Sequence, residues 1–256
     1  MPSLSSVRKA HSRKRRWHIV QSLFFIFIFA LAVFVFFQSP FFMVKEIRIT
    51  GVKQLGREEV KGLAGLAEGV NIFKADLKQA EGKVALHPMV KKVEMSRDLP
   101  DSVIINITER QPVGLIPGQP GYTVIGDDGR CLSVIKNLST INLPFITGIT
   151  VKSAVSGQPV SDNKLNAALA YLSAMPDSLK AAVSEINVAD LNDIRMFTID
   201  TVEVKFGDDR RIEEKIKLYK EVISQKYRDR IQYIDVSYQG NPVIKFIQQP
   251  HDEKQQ

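Results

Sequence analysis

Two adjacent acid pairs, Asp127-Asp128 and Asp208-Asp209, are the residue types in this chain best suited to chemistry. Either could serve as a general acid with its base, or as part of an oxygen-ligand calcium site. Each pair also sits beside a glycine between periodic segments, where turn and cap hydrogen bonding accounts for acidic residues without any reaction. The other reactive types lack partners. The histidines, His11, His18, His87 and His251, are scattered and form no His-Glu-x-x-His pair, and His87 precedes Pro88 at an expected helix end. Cys131 is the single cysteine, so no intramolecular disulfide is possible, and no base is suggested beside it by spacing. A Gly-x-Ser-x-Gly elbow is absent. The run "GLAGLAEG" (Gly62 to Gly69) lacks the lysine of a phosphate loop and follows a helix rather than a strand, so it reads as a helix end. The residues argue against an enzyme and imply no metal and no cofactor.

The strongest signal lies at the N-terminus. Residues 19–37 are apolar apart from Gln21 and Ser22 and would reach roughly 28 Å as a helix, enough to cross a bilayer. A cleaved signal has a shorter apolar region followed by a small-x-small site. Here the pattern Ala30-Leu31-Ala32 lies in mid-run, with Val33 to Phe37 after it, so the segment reads as a retained anchor. It is apolar on every face, unlike the helix of a soluble core. Residues 1–18 hold Arg8, Lys9, Arg13, Lys14, Arg15 and Arg16 and no acid, whereas the rest of the chain has 29 basic residues against 28 acidic ones. Basic flanks stay in the cytoplasm, so Arg13, Lys14, Arg15 and Arg16 act as a topology signal that puts residues 40–256 outside it. The span accounts for the basic tail, which leaves no need for a nucleic-acid partner.

The body past the anchor suits one or two domains. "VKEIRIT" (Val44 to Thr50) reads as a strand ending at Gly51. Helices follow over Arg57 to Leu66 and Asp76 to Leu86, with Val60, Leu63, Ala64 and Ala67, then Leu77, Ala80 and Val84, on one face. Strands Val90 to Arg97 and Ser102 to Arg110 come next as a half-buried antiparallel pair. In the second, Val103, Ile105 and Ile107 face inward and Asn106, Thr108 and Arg110 outward; Lys91, Lys92, Arg97 and Arg110 read as a solvated polar face. Farther on, Ser161 or Asp162 caps a helix carrying Leu165, Leu169, Leu172 and Met175. Val202, Val204 and Phe206 alternate in a strand, and Gly207-Asp208-Asp209 turns into a helix with stripe Ile212, Ile216, Tyr219 and Ile223 and a surface pair Glu213–Lys217. The chain closes with strands Ile231 to Tyr238 and Val243 to Ile247, then a polar tail at residues 249–256 that is expected to be disordered. The fold class is α+β. A final strand can leave an edge to which another protein adds its own backbone; equally, Lys245 and Pro242 can simply protect such an edge.

The words "NIFKADL" (Asn71 to Leu77), "LHPMVKKVEMSRDLP" (Leu86 to Pro100) and "ITERQPV" (Ile107 to Val113), in that order, resemble the POTRA domain of the bacterial cell-division family FtsQ, called DivIB in Gram-positive bacteria. "YTVIGDDGRCL", "LPFITG" and "YIDVSYQGNPVIKF" are similar to landmarks of that family's second, β-rich domain. The resemblance implies a basic cytoplasmic tail over residues 1–18, a transmembrane helix over 19–37, a POTRA domain (β-α-α-β-β) over 41–113 and a β-rich domain over 114–248. It also implies a non-enzymatic scaffold of the divisome at the septum. Its partners would be FtsB-like and FtsL-like proteins, with contacts to FtsK-like, FtsW-like and septal synthase proteins and to the lipid bilayer. The FtsB-like partner would pair with the closing strands, at Tyr233, Asp235, Ser237, Tyr238, Val243, Ile244, Lys245 and Phe246. One departure stands out. The family often has arginine immediately before the tyrosine at Tyr238, and this chain has Ser237.

Two other classes compete. A POTRA-bearing assembly factor would carry tandem units and a barrel, whose alternating strands with aromatic girdles do not occur here. An anchored envelope enzyme would need the acid pairs. The mass of the membrane-bound protein should include residues 19–37; a soluble product beginning near Pro40 would contradict a retained anchor.

Overall fold

The computed structural model describes residues 4–119, 121–138, 141–151, 154–224 and 230–247. The polar tail at 249–256 lies outside them. The chain divides into two compact units, Met1–Val84 with Val93–Ile107, and Ala85–Lys92 with Thr108–Gln256.

The first unit begins with α1 (Leu4–Phe37). Its segment Val20–Phe37 is long and apolar enough to cross a membrane, and none of it is buried against the rest of the chain. The backbone of residues 13–16 lies in this same helix. A single 3-10 turn, Pro40–Phe42, leads out of it into β1 (Glu46–Thr50). Then come α2 (Arg57–Ala64), α3 (Leu77–Ala85), β2 (Val90–Asp98) and β3 (Ser102–Glu109). The strands form a sheet in the order β1-β3-β2, with β1 parallel to β3 from Glu46↔Ser102 to Thr50↔Asn106. A parallel neighbour requires a crossover, which the two helices supply. Their apolar faces close the core, where Val60, Val84, Val103 and Ile105 have no exposed surface. Two glycines are demanded by geometry. Gly65 takes a left-handed conformation (φ 61°) and ends α2, and at Gly51 (φ 82°) a Cβ would fall 1.9 Å from the carbonyl oxygen of Ile107.

The second unit is built on one nine-stranded mixed sheet. Its elements are β4 (Pro112–Pro117), β5 (Tyr122–Gly126), β6 (Cys131–Ile135), β7 (Phe145–Thr147), α4 (Asn163–Ala174), α5 (Asp177–Lys180), β8 (Val183–Asn187), β9 (Ile194–Thr198), β10 (Glu203–Gly207), α6 (Ile212–Ile223), β11 (Ile231–Asp235) and β12 (Val243–Phe246). Their order across the sheet is β12-β11-β10-β9-β8-β7-β4-β5-β6. Of the parallel pairs β4/β7, β7/β8 and β10/β11, the last two are each joined through a long helix, α4 and α6 respectively. Asp162 caps α4 by accepting from the Lys164 amide at 2.7 Å, and Leu165, Leu169, Leu172 and Met175 are all buried. Full burial of such a side chain is worth about 2 kcal/mol. Tyr171 stacks on Phe206 at 4.5 Å, which in turn meets Tyr219 of α6 edge-on.

The turn before α6 holds a group that periodicity hides. Lys215, on the flank of the apolar stripe, has no exposed surface. Its Nζ donates to Asp208 Oδ1 at 2.7 Å and to the Asp208 carbonyl at 2.8 Å, and the same carbonyl accepts from the Tyr171 hydroxyl. The ion pairs of this helix thus run from Lys215 to Asp208 and from Arg211 to Glu214 rather than between Glu213 and Lys217. Hydrogen bonding from Lys215 holds the Asp208 carboxyl far below the ordinary carboxylate range, aided by Arg210. A carboxyl whose folded-state pKa is depressed contributes stability that is complete above about pH 4 and is lost as pH falls through the folded-state value. Asp208→Asn should therefore cost about 2 kcal/mol at neutral pH and progressively less in acid, so that urea unfolding of the detergent-solubilised chain shows a flatter acid limb than the unsubstituted protein. Equal losses at every pH would refute this role.

Candidate protein-interaction edge

Strand β12 is the outermost strand at its end of the sheet, and among the described residues no strand lies beyond it. It pairs antiparallel with β11 through Tyr233↔Lys245, Ile234↔Ile244 and Asp235↔Val243. The direction of its remaining backbone groups follows from the ladder. The Val236 amide donates to the Lys205 carbonyl of β10 at 3.0 Å, so from Tyr233 onward the even-numbered residues of β11 present their backbone groups to β10 and the odd-numbered ones to β12; a register shift between Ile231, which pairs with Phe246, and Tyr233 ends that alternation. Val243 and Lys245 therefore bond inward to Asp235 and Tyr233, and past the shift the Ile247 amide again bonds inward, to the Arg230 carbonyl at 2.7 Å, so the N–H and C=O groups of Ile244 and Phe246 point away from the sheet.

Side chains alternate on the same frame. Ile234 and Val236 are buried under α6, and Ile244 packs half-buried beside them. Tyr233, Asp235, Val243 and Lys245 share the opposite, solvated face. There the ammonium of Lys205 sits 4.5 Å from the centre of the Tyr233 ring and that of Lys245 at 5.8 Å, so the ring lies between two cations. Asp235 Oδ1 accepts from the Ser237 amide at 2.9 Å and from its hydroxyl at 2.6 Å, which fixes the start of the turn. Tyr238 is 75 % exposed at that turn. The structure thus brings Tyr233, Asp235, Ser237, Val243 and Lys245 together, with Ile244 and Phe246 offering backbone and Tyr238 apart at the hairpin tip. Lys205, and Glu203 opposite Tyr233, belong to this face and were missed by the sequence reading. Their alternation with Val204 and Phe206 was the available signal.

Residues 42–110 match the family described as POTRA domain, FtsQ-type, and residues 114–237 match the C-terminal domain of cell division protein FtsQ/DivIB. Cell division protein FtsQ of Geotalea daltonii is 30% identical over 217 residues, covering 82% of this chain and 78% of its own. The chain belongs to the FtsQ/DivIB family of cell division proteins. Cell division protein DivIB of Clostridium acetobutylicum is similar at 27% identity, over 82% of this chain and 85% of the relative. The major extracytoplasmic domain of DivIB from Geobacillus stearothermophilus, as solved, aligns at 15% identity over 46% of this chain and 93% of that one, with a TM-score of 0.33. An FtsQ/DivIB chain with one apolar N-terminal helix is a bitopic membrane protein of cell division. The second matched region stops at residue 237, short of β12, so the free edge lies beyond what the family match covers.

Asp127, Asp128 and Asp208 of this FtsQ/DivIB chain each take part in ion pairs, although Asp127 Oδ1 is buried without a hydrogen-bond partner. Asp128 Oδ2 accepts from Arg110 Nε at 2.7 Å and Oδ1 accepts from the Arg130 amide, while Asp127 pairs with Lys91 at 2.7 Å. Burial pushes the Asp128 carboxyl up, but Arg110 and Arg130 outweigh it and hold the group below its ordinary value. Arg110 is buried, a correction to its expected place on a solvated face; its guanidinium donates to the carbonyls of Pro88 and Val90. Strand β3 ends at Glu109, so the alternation that sets Asn106 and Thr108 outward no longer governs the next residue. Burial also raises the Cys131 thiol, away from nucleophilic use. Among the described residues no group of three or more His, Cys, Asp or Glu could hold a metal ion. Arg110→Met should lower unfolding stability by about 3 kcal/mol, because it takes the nearer cation from the Asp128 carboxylate, leaving only Arg130, and removes a donor from two carbonyls. A neutral outcome in thermal unfolding of the intact chain would show the pair to be ornamental.

Proposed function

We propose that this protein is a non-enzymatic divisome scaffold whose closing strand captures an extended segment of an FtsB-like partner, held together with an FtsL-like one. In this reading residues 1–18 are cytoplasmic, with Arg13, Lys14, Arg15 and Arg16 fixing that orientation. The domains at 41–113 and 114–248 then stand outside the inner membrane at the septum. The scaffold links the cytoplasmic division ring to septal wall synthesis, and the first domain is the surface for FtsK-like, FtsW-like and septal synthase proteins.

The supporting observation is the row of backbone groups on Ile244 and Phe246 that points away from the sheet and, among the described residues, meets no further strand, at a strand whose side chains are largely exposed. An incoming strand gains a ladder hydrogen bond at each such group, worth about 1 kcal/mol net. The solvated face supplies selectivity. Lys245 lies on the same side as Asp235 and opposite Tyr233, so it can meet an acidic residue of the partner where the family arginine is replaced by Ser237. Backbone pairing does not depend on that exchange.

The test separates backbone from side chain. Phe246→Pro deletes one outward N–H while leaving the Ile247 amide on the Arg230 carbonyl; Phe246→Ala removes the ring alone. Binding of the FtsB-like partner to the proline variant should fall about ten-fold, with the alanine variant close to unsubstituted. Equal affinity of all three proteins would sink strand addition at this edge.

A further inference from the structure

We propose that the loop Asn71–Lys74, together with Phe41, seats the first unit in the outer interface of the lipid bilayer, so that Phe41 and Phe73 lie among phospholipid rather than in water. The last carbonyls of a helix have no partner within it. Here Asn71 Nδ2 donates to the carbonyl of Phe37, the final residue of α1, at 2.7 Å. The other end of the same amide, Oδ1, accepts from the Phe73 amide at 3.0 Å. The loop is tied to the sheet as well, because Arg97 of β2 donates to the carbonyls of Ile72 at 2.7 Å and Ala75 at 2.8 Å. The Ile72 amide adds a bond to the Phe42 carbonyl at 2.8 Å. Helix end, loop and sheet are therefore joined by consecutive hydrogen bonds.

The rings follow this backbone. Phe73 meets Phe37 at 5.2 Å and Phe42 at 5.3 Å, and Phe41 meets Phe36 at 6.4 Å and Phe42 at 5.1 Å. Phe42 is buried in the middle, but Phe41 keeps 55 % of its surface exposed and Phe73 43 %. That exposed hydrocarbon is continuous with the spanning segment itself, whose last residues are Phe36 and Phe37. Each headgroup layer of a bilayer is roughly 5–8 Å deep. Rings in contact with the end of the span fall within it, where aromatic side chains partition favourably. Lys74 completes the pattern, with its ammonium 3.4 Å from Gln38 Oε1, one residue past the helix, at the level of lipid phosphates.

The experiment uses the full chain in phospholipid vesicles. Trp17 is the only tryptophan, so a Trp17→Phe background gives single reporters at Phe73→Trp and, separately, Phe41→Trp, with Ile199→Trp as an aqueous reference. Both loop reporters should emit at shorter wavelength than the reference and lose roughly half their emission when the phosphatidylcholine is brominated high on its acyl chains, while resisting acrylamide. Two results would overturn the proposal. Reporters quenched by acrylamide like the reference, and blind to bromine, would place the rings in water; reporters blind to both quenchers would seal them inside the protein. The two positions are independent, so misfolding of one variant leaves the other to decide.

Discussion

An open sheet has to stop somewhere, and its last strand always keeps a row of amides and carbonyls that the sheet itself cannot satisfy. In the second unit that strand is β12, four residues long, whose outward groups at Ile244 and Phe246 are left over from a ladder running through nine strands. The same sheet ends at β6 on its other side. The strand is short and carries Lys245, which discourages indiscriminate pairing with other chains. A partner that pairs there must bring both a backbone in register and side chains suited to Tyr233 flanked by Lys205 and Lys245.

The support for that edge is a set of packed and hydrogen-bonded contacts. Strand β11 reaches its place through α6, and α6 is fixed at its start by the buried ammonium of Lys215 on Asp208 and by the aromatic stack of Tyr171, Phe206 and Tyr219. The ion pair and the stack share one anchor, the Asp208 carbonyl, which accepts from both Lys215 and Tyr171. The first unit applies the same economy, for the Asn71 side chain joins the end of α1 to a loop that Arg97 holds against the sheet.

Much of the architecture was legible in the sequence because binary patterning is read residue by residue. Val60 and Ala64, Leu77 and Val84, and Leu165, Leu169 and Leu172 announce helices whose buried faces are the ones observed. What escaped notice depends on contacts made at long range. Lys215 reads as a surface residue until Asp208 is seen to curl over it, and Arg110 follows an outward alternation that ends one residue too soon. Strand β8, Val183–Asn187, has only two buried side chains in five and a polar remainder, so its period is too brief to separate from a loop; its place between β7 and β9 makes it a strand. The candidate edge itself was half legible. The closing hairpin could be traced from Tyr233 to Phe246, but which backbone groups face outward required the Val236–Lys205 bond and the register of β12.

Amide hydrogen exchange on the membrane-reconstituted protein, alone and saturated with the extracytoplasmic segment of an FtsB-like partner, addresses this edge directly. Strand addition predicts that the Ile244 and Phe246 amides exchange rapidly in the free protein and become the most newly protected sites in the complex, while β11 is slow in both. Protection that appears elsewhere, with those two amides unchanged, would contradict the account.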